Sequence, residues 1–193
     1  MTIDLAPAAT QVSRAAAGVR DDHLDLPTPC TQWTVSVLLS HLVALSEAFT
    51  AAAEKRPFPG DGATIPPLPS DWRTRLESNL DAVVAAWRDP AAWEGEASAG
   101  GVTMPAEVMG VVALDELVLH GWDLAVATGQ PFDADPTDVQ ACLGFAEAMS
   151  QPGDEASREG LYGPVISVPA GAEEFARLLG YAGRDPGWVA VRE

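Results

Sequence analysis

The spacing of apolar residues between positions 35 and 49 is the feature that most constrains the fold. Apolar side chains recur there every three or four residues, which places them along one face of an α-helix. Thr34 is a suitable N-cap, and the helix is predicted to end near Lys55 and Arg56, ahead of Pro57. The apolar stripe consists of Val35, Leu38, Leu39, Leu42, Leu45 and Phe49.

Similar spacing predicts three more helices, over about residues 4–20, 71–88 and 105–128. Residues 57–69 contain five prolines and form a long loop, which suits a crossover between helices that are not neighbours. Strand patterns are too few for a sheet-based fold, although residues 91–104 leave room for one short strand. The sequence therefore predicts an all-α protein built as a helical bundle.

The segment after the fourth helix changes character. Asp135 and Pro136 predict the start of a further helix that reaches about Ser150. Residues 161–169 are predicted to be extended, and residues 172–181 to form a last short helix.

The length of the chain fits one domain with a substantial core. We interpret residues 1–193 as a single helical domain, with a core bundle at about 4–129 and a C-terminal extension at about 133–193. Hydrophobic residues make up 47% of the sequence, which excludes a wholly disordered chain.

The net charge of the chain limits the classes of molecule that it can bind. Eleven basic residues against 28 acidic ones give a net charge of −17, so a phosphate backbone or an anionic membrane would be repelled. No apolar run is expected to reach the ~20 residues of a membrane span, and Met1–Thr10 does not resemble a signal peptide. We therefore expect a cytoplasmic protein with a small-molecule or thiol substrate and neither nucleic-acid nor membrane partners; a homodimer is left open.

A carboxylate and an imidazole lie one helical turn apart on the fourth predicted helix. Glu116 and His120 share a helix face, and His41 lies within or beside the apolar stripe of the second helix. Three N/O ligands with one open position are typical of a catalytic metal site in a bundle core. Asp123, three residues after His120, is close enough to support a ligand or a water.

The spacing alone leaves alternatives open. A Glu-x-x-x-His pair often reflects only a helical side-chain contact, and Glu116 could simply hydrogen-bond a histidine with no metal present. The ligand types suit zinc, with nickel as the main alternative among other divalent metals. Cys30 is ambiguous as a thiolate ligand, whereas His23 is expected to be solvated and Trp122 to lie in the core.

Several motifs resemble one known family. The segment Pro27-Thr28-Pro29-Cys30, then Trp33 and residues 35–42, resembles the opening of the DinB-like superfamily in its mycothiol-dependent maleylpyruvate isomerase N-terminal branch. Residues 116–129, ELVLHGWDLAVATG, resemble that branch's second metal motif. Residues 160–164 and 183–188 resemble an actinobacterial subfamily of uncharacterised metal-binding proteins.

The resemblance implies an up-down-down-up four-helix bundle with a divalent metal in its core. The family's ligands would fall on His41, Glu116 and His120. Characterised relatives are thiol-dependent transferases or isomerases, which implies mycothiol as a co-substrate activated by the metal. The isomerase also has a separate C-terminal domain, whereas residues 130–193 look too short and too helical to form it. Maleylpyruvate isomerisation is therefore not expected; a non-catalytic metal- or small-ligand-binding bundle with a structural or stress-related role is the alternative.

Overall fold

Four helices form the body of the protein in the computed structural model, which describes residues 2–59, 64–151, 153, 158, 160–169 and 171–190. The predicted helices are all present, each within a few residues of its expected bounds. They are α1 (Ala6–Ala17), α2 (Val35–Ala53), α3 (Trp72–Trp87) and α4 (Ala106–Ala127). The proline-rich segment 57–69 connects α2 to α3, and its residues 60–63 lie outside the described part of the chain.

The four helices pack as a bundle in which each helix has two main neighbours. Helices α1 and α2 each lie against both α3 and α4. Leu38, Leu39 and Leu42 of α2 are fully buried, as their helical spacing predicts. Apolar burial of this kind supplies most of the stability of such helices.

Helix α2 contradicts the prediction that no apolar segment is long enough to cross a membrane. It has 19 residues and a mean hydropathy of 1.6, and it is the one helix in the described residues that is long and apolar enough to cross a membrane. The expectation that no apolar run approaches this length is therefore wrong. Length and composition are weak grounds for a membrane span, because a buried core helix passes the same test. Sixty-seven per cent of the apolar window is buried inside the bundle.

A short hairpin fills one end of the bundle, where the sequence left room for a strand. Strands β1 (Glu96–Ala99) and β2 (Val102–Pro105) pair antiparallel, with Ala97 opposite Met104. A 3₁₀ turn precedes the hairpin and presents Trp93 to α4. A Cβ atom on Gly110 of α4 would lie 2.4 Å from the Trp93 ring, so only glycine allows this close approach.

The C-terminal segment contains two further helices among its described residues, α5 (Pro136–Ala148) and α6 (Glu174–Tyr181). Asp135 caps α5 by accepting a hydrogen bond from the Thr137 backbone N–H at 2.8 Å. Helix α5 lies against both α4 and α6. The predicted extended segment 161–169 has no helix in it. The division of one domain into a core and an extension stays a prediction.

Candidate metal centre

Two helices bring the predicted ligands together. Helix α2 supplies His41, and α4 supplies Glu116 and His120. The Glu116 Oε2 atom lies 3.2 Å from His41 Nε2 and 3.1 Å from His120 Nε2. One carboxylate oxygen and two imidazole nitrogens thus converge, although His41 and Glu116 are 75 residues apart in sequence.

These separations suit a tetrahedral metal. Ligand atoms at about 2.0–2.1 Å from a tetrahedral zinc ion lie roughly 3.3 Å from one another. The three donor atoms all lie within 4.8 Å of each other. Two nitrogens and one carboxylate oxygen also form a donor set that zinc and nickel accept. The same distances also describe hydrogen bonds between imidazoles and a carboxylate.

The cluster is recessed but retains an opening. The His120 side chain is 7% exposed, whereas the Glu116 and His41 side chains are 18% and 24% exposed. The open side of the cluster therefore lies towards His41 and Glu116. A ligand from solution would approach from that side.

Asp123 holds the second nitrogen of His120. Its Oδ2 atom lies 3.0 Å from His120 Nδ1, and Asp123 is fully buried. Because an ionised carboxylate can only accept a hydrogen bond, Nδ1 carries the proton and Nε2 points towards Glu116. A carboxylate that orients the far side of a histidine is the usual support of a histidine metal ligand.

The electrostatic surroundings keep the carboxylates of the cluster ionised. Burial works to raise the pKa of Glu116, but hydrogen bonds from His120 and His41 outweigh burial and hold that pKa below its ordinary value. Burial likewise opposes the lowered pKa of Asp123, which Arg184 and His120 produce. For His120, Asp123 and Glu116 overcome burial and raise its pKa to about 9. Burial lowers the pKa of His41.

Two residues at the cluster were not singled out as site residues from the sequence. The indole of Trp33 stacks on the His120 ring at 5.5 Å and lies 4.8 Å from the His41 ring, measured between ring centres. Trp33 sits in the loop before α2, where a helical pattern gives no signal. Arg184 approaches Asp123 from the C-terminal segment, and nothing in the spacing of the sequence links the two.

Cys30 belongs to a second group of side chains that shares His120. The Cys30, His120 and Asp123 ligand atoms also lie within 4.8 Å of one another. Burial, opposed by Arg184, raises the pKa of the Cys30 thiol to about 11, so a thiolate is disfavoured there. Asp123 is already engaged by Arg184 and His120. The geometry therefore favours the group that contains His41 and Glu116.

The expectation for His23 is wrong. His23 is 4% exposed and lies at the end of a 3₁₀ turn, where its Nδ1 accepts a hydrogen bond from the Arg20 backbone N–H at 3.3 Å. The tight turn folds the ring inward, although the surrounding sequence is polar. His23 belongs to neither group that could hold a metal among the described residues. Trp122 is buried, as predicted.

A second buried carboxylate lies next to Glu116 in the sequence. Asp115 accepts a hydrogen bond from the Tyr162 hydroxyl at 2.7 Å, while its other oxygen, Oδ1, is buried with no partner among the described residues. Burial raises the pKa of Asp115 to about 7, although the Tyr162 hydrogen bond opposes the shift.

Comparison with known proteins identifies the family. The model of the mycothiol maleylpyruvate isomerase N-terminal domain matches residues 5–125, a range that includes His41, Glu116, His120 and Asp123. Two uncharacterized proteins of Mycobacterium tuberculosis, from strains CDC 1551 and H37Rv, are each 32% identical over 147 residues, which is 70% of this chain and 71% of each relative.

Solved structures agree on the fold. The crystal structure of the mycothiol-dependent maleylpyruvate isomerase superposes with a TM-score of 0.56 at 19% identity, over 74% of this chain and 66% of that one. A histidine-to-alanine mutant of the same isomerase gives a TM-score of 0.52 at 18% identity with the same coverage. This chain thus spans just under two thirds of the isomerase and has its DinB-like helical fold. The protein belongs to the family of the mycothiol maleylpyruvate isomerase N-terminal domain.

Proposed function

We propose that this protein binds a divalent metal through His41, Glu116 and His120 and uses it to activate a low-molecular-weight thiol of the mycothiol type. The reaction class is a thiol-dependent transfer or isomerisation. The observation that carries the proposal is the convergence of two imidazole nitrogens on one carboxylate oxygen, at 3.1 and 3.2 Å. Zinc is the metal we expect first, and nickel is the alternative.

The protein's own residues would prepare the site. Asp123 holds the His120 ring in the orientation that presents Nε2 to the cluster. Trp33 covers the His120 ring and keeps water from one side of it. A divalent cation held there would lower the pKa of a bound thiol, so that a nucleophilic thiolate forms at neutral pH.

Charge balance supports a thiolate as the incoming ligand. Glu116 and Asp123 are two anions, and Arg184 is a cation that contacts Asp123. With a divalent cation in place and both imidazoles neutral, these groups would carry one excess positive charge. Transfer of an uncompensated charge into a buried site is costly, so an anionic ligand that neutralises it is favoured. A thiolate or a hydroxide meets this requirement.

Family membership supports the thiol but not the specific substrate. The matching isomerase depends on mycothiol and isomerises maleylpyruvate, as its name states. Because this chain spans 66% of that isomerase, we do not extend maleylpyruvate to it. A cytoplasmic location, small-molecule rather than nucleic-acid or membrane partners, and an open choice between monomer and homodimer stay predictions.

Metal analysis and a thiol titration test the proposal. The purified chain should contain about one divalent metal, and the cobalt-substituted protein should develop a thiolate-to-cobalt absorption band when mycothiol is added. His120→Ala should remove the metal. His23→Ala is the matched control, because His23 is an equally buried histidine outside the cluster, and this variant should keep the metal.

Two results would contradict parts of the proposal. A wild-type chain that binds no divalent metal would leave Glu116 as a hydrogen-bond partner of the histidines only. A chain that binds metal but shows no spectral response to mycothiol would favour the non-catalytic metal-binding alternative.

A further inference from the structure

Arg184 reaches the cluster from the far end of the chain. Its Nη2 donates to Asp123 Oδ2 at 3.0 Å, and its Nε approaches Asp123 Oδ1 at 3.5 Å. The guanidinium therefore faces both oxygens of the carboxylate that holds His120. The two residues are 61 positions apart, and Arg184 lies outside the matched range 5–125.

The end of α6 fixes the position of Arg184. Gly183 has a φ of +79°, a conformation that L-residues with a side chain rarely adopt. The Gly183 N–H donates to the Gly180 carbonyl, and the Arg184 N–H donates to the Leu179 carbonyl at 2.7 Å. These two hydrogen bonds form a Schellman motif, which ends the helix and sets the direction of the next residue.

The Arg184 side chain is held as firmly as its backbone. Its Nη1 donates to the Ala182 carbonyl at 3.0 Å, which leaves the Nε–Nη2 edge for Asp123. Arg184 is 6% exposed. A planar guanidinium anchored on one side and aligned with a carboxylate on the other fixes the orientation of that carboxylate better than a flexible ammonium can.

We propose that Arg184 is a positioning residue for the metal ligand His120 and acts through Asp123. This inference rests on the proposed function, since it assumes that His120 binds a metal. The chain of contacts runs from the end of α6 through Arg184 and Asp123 to His120 Nδ1, and leaves Nε2 directed at the cluster. The C-terminal segment thereby completes the metal centre of the bundle.

The direction in which metal affinity changes when Arg184 is removed separates a positioning role from a purely electrostatic one. A cation near a metal site repels the metal, so an arginine that acted only through its charge would weaken metal binding, and its removal would tighten it. A positioning arginine acts in the opposite direction, because its removal frees Asp123 and the ring that Asp123 orients. Loss of a residue that holds a metal ligand in its orientation typically weakens metal affinity by about 10–100-fold.

The experiment measures zinc affinity by competition with a chromophoric chelator in full-length variants. Arg184→Met should weaken zinc binding by about tenfold. Arg158→Met is the matched control, because Arg158 has the same 6% exposure in the same segment but donates to the Gly163 and Tyr181 carbonyls. This control should change zinc affinity by less than about twofold, even if it lowers the melting temperature.

A conservative variant controls for the possibility that Arg184→Met loses the fold. Arg184→Lys keeps a positive charge opposite Asp123, and it should still bind zinc several-fold more weakly than wild type, because one ammonium replaces a two-point contact. In an Asp123→Asn background, which already lacks the oriented carboxylate, Arg184→Lys should have no further effect on zinc affinity.

Three results would overturn the inference while leaving the proposed function intact. They are wild-type or tighter zinc binding in Arg184→Lys, an equal loss in Arg158→Met, and an undiminished effect of Arg184→Lys in the Asp123→Asn background. Failure of the wild-type chain to bind zinc or any other divalent metal would instead overturn the proposed function together with the inference.

Discussion

Asp115 and Glu116 are consecutive residues of α4, yet their carboxylates meet opposite environments. Glu116 faces two imidazoles, at 3.1 and 3.2 Å, and its pKa is held below the ordinary value. Asp115 faces the Tyr162 hydroxyl and has one buried oxygen without a partner among the described residues. Burial raises its pKa to about 7. Burial works to raise the pKa of both carboxylates, and the shifts differ in sign because the two imidazoles outweigh burial at Glu116, whereas the Tyr162 hydroxyl does not outweigh it at Asp115.

The contrast indicates which of the two carboxylates can bind a metal. A cation needs several donor atoms within a few ångströms, and the imidazoles of His41 and His120 supply them only beside Glu116. Tyr162 and Cys142, two neighbours of Asp115, are poor metal ligands, because burial raises the pKa of each. We therefore expect Asp115 to contribute to the stability of the fold and Glu116 to bind the metal.

The largest expected effect is the loss of metal from a Glu116→Gln variant. An amide removes the anionic ligand while it keeps the size of the side chain, so stoichiometric zinc should be lost. Metal analysis of the purified protein checks this result. Asp115→Asn is the matched control one residue away, and it should keep its zinc. Loss of metal from both variants, or from neither, would contradict the separation of roles.

An intermediate effect is expected from Tyr162→Phe. Removal of the hydroxyl takes away the hydrogen bond that Tyr162 donates to the buried Asp115 carboxyl, which should lower the free energy of unfolding by about 1–3 kcal/mol. Denaturant unfolding of the purified variant gives this value. Zinc affinity should stay within about twofold of wild type. A large loss of zinc affinity would show that the two carboxylates do not act separately.

The bundle and the side-by-side placement of Glu116 and His120 could be predicted because both follow from helical spacing, whereas metal binding by these residues stays a prediction. The period of three and four residues located the helices, and the four-residue interval placed Glu116 and His120 on one face. Arg184 could not be predicted, because its contact with Asp123 depends on how α6 ends and packs. Trp33 lies in a loop, and the inward turn of His23 depends on the hydrogen bond that its ring accepts from the Arg20 backbone N–H. These positions are set by tertiary packing or by a local hydrogen bond, neither of which a periodic pattern encodes.

The smallest effect concerns Asp138, another buried carboxylate, whose charged neighbours are two further carboxylates, those of Asp135 and Asp4. Burial, with the charges of Asp135 and Asp4, raises the pKa of Asp138 to about 6 in the folded protein, against an ordinary value of 3.8. The folded state therefore holds this proton more tightly than the unfolded state does. Its contribution to stability is complete below pH 3.8 and is lost as the pH rises through about 6.

Asp138→Asn should accordingly stabilise the protein above pH 7 and have little effect near pH 4. An increase of about 1 kcal/mol in the free energy of unfolding corresponds to an increase of roughly 2–4 °C in melting temperature for a chain of this size. Melting curves of wild type and variant between pH 4 and pH 8 measure the difference, with the exposed Asp81→Asn as a control that should show no such trend. A difference that is constant across this range would mean that Asp138 does not ionise with the raised pKa, and that this fold tolerates the buried Asp138 carboxylate in its charged form.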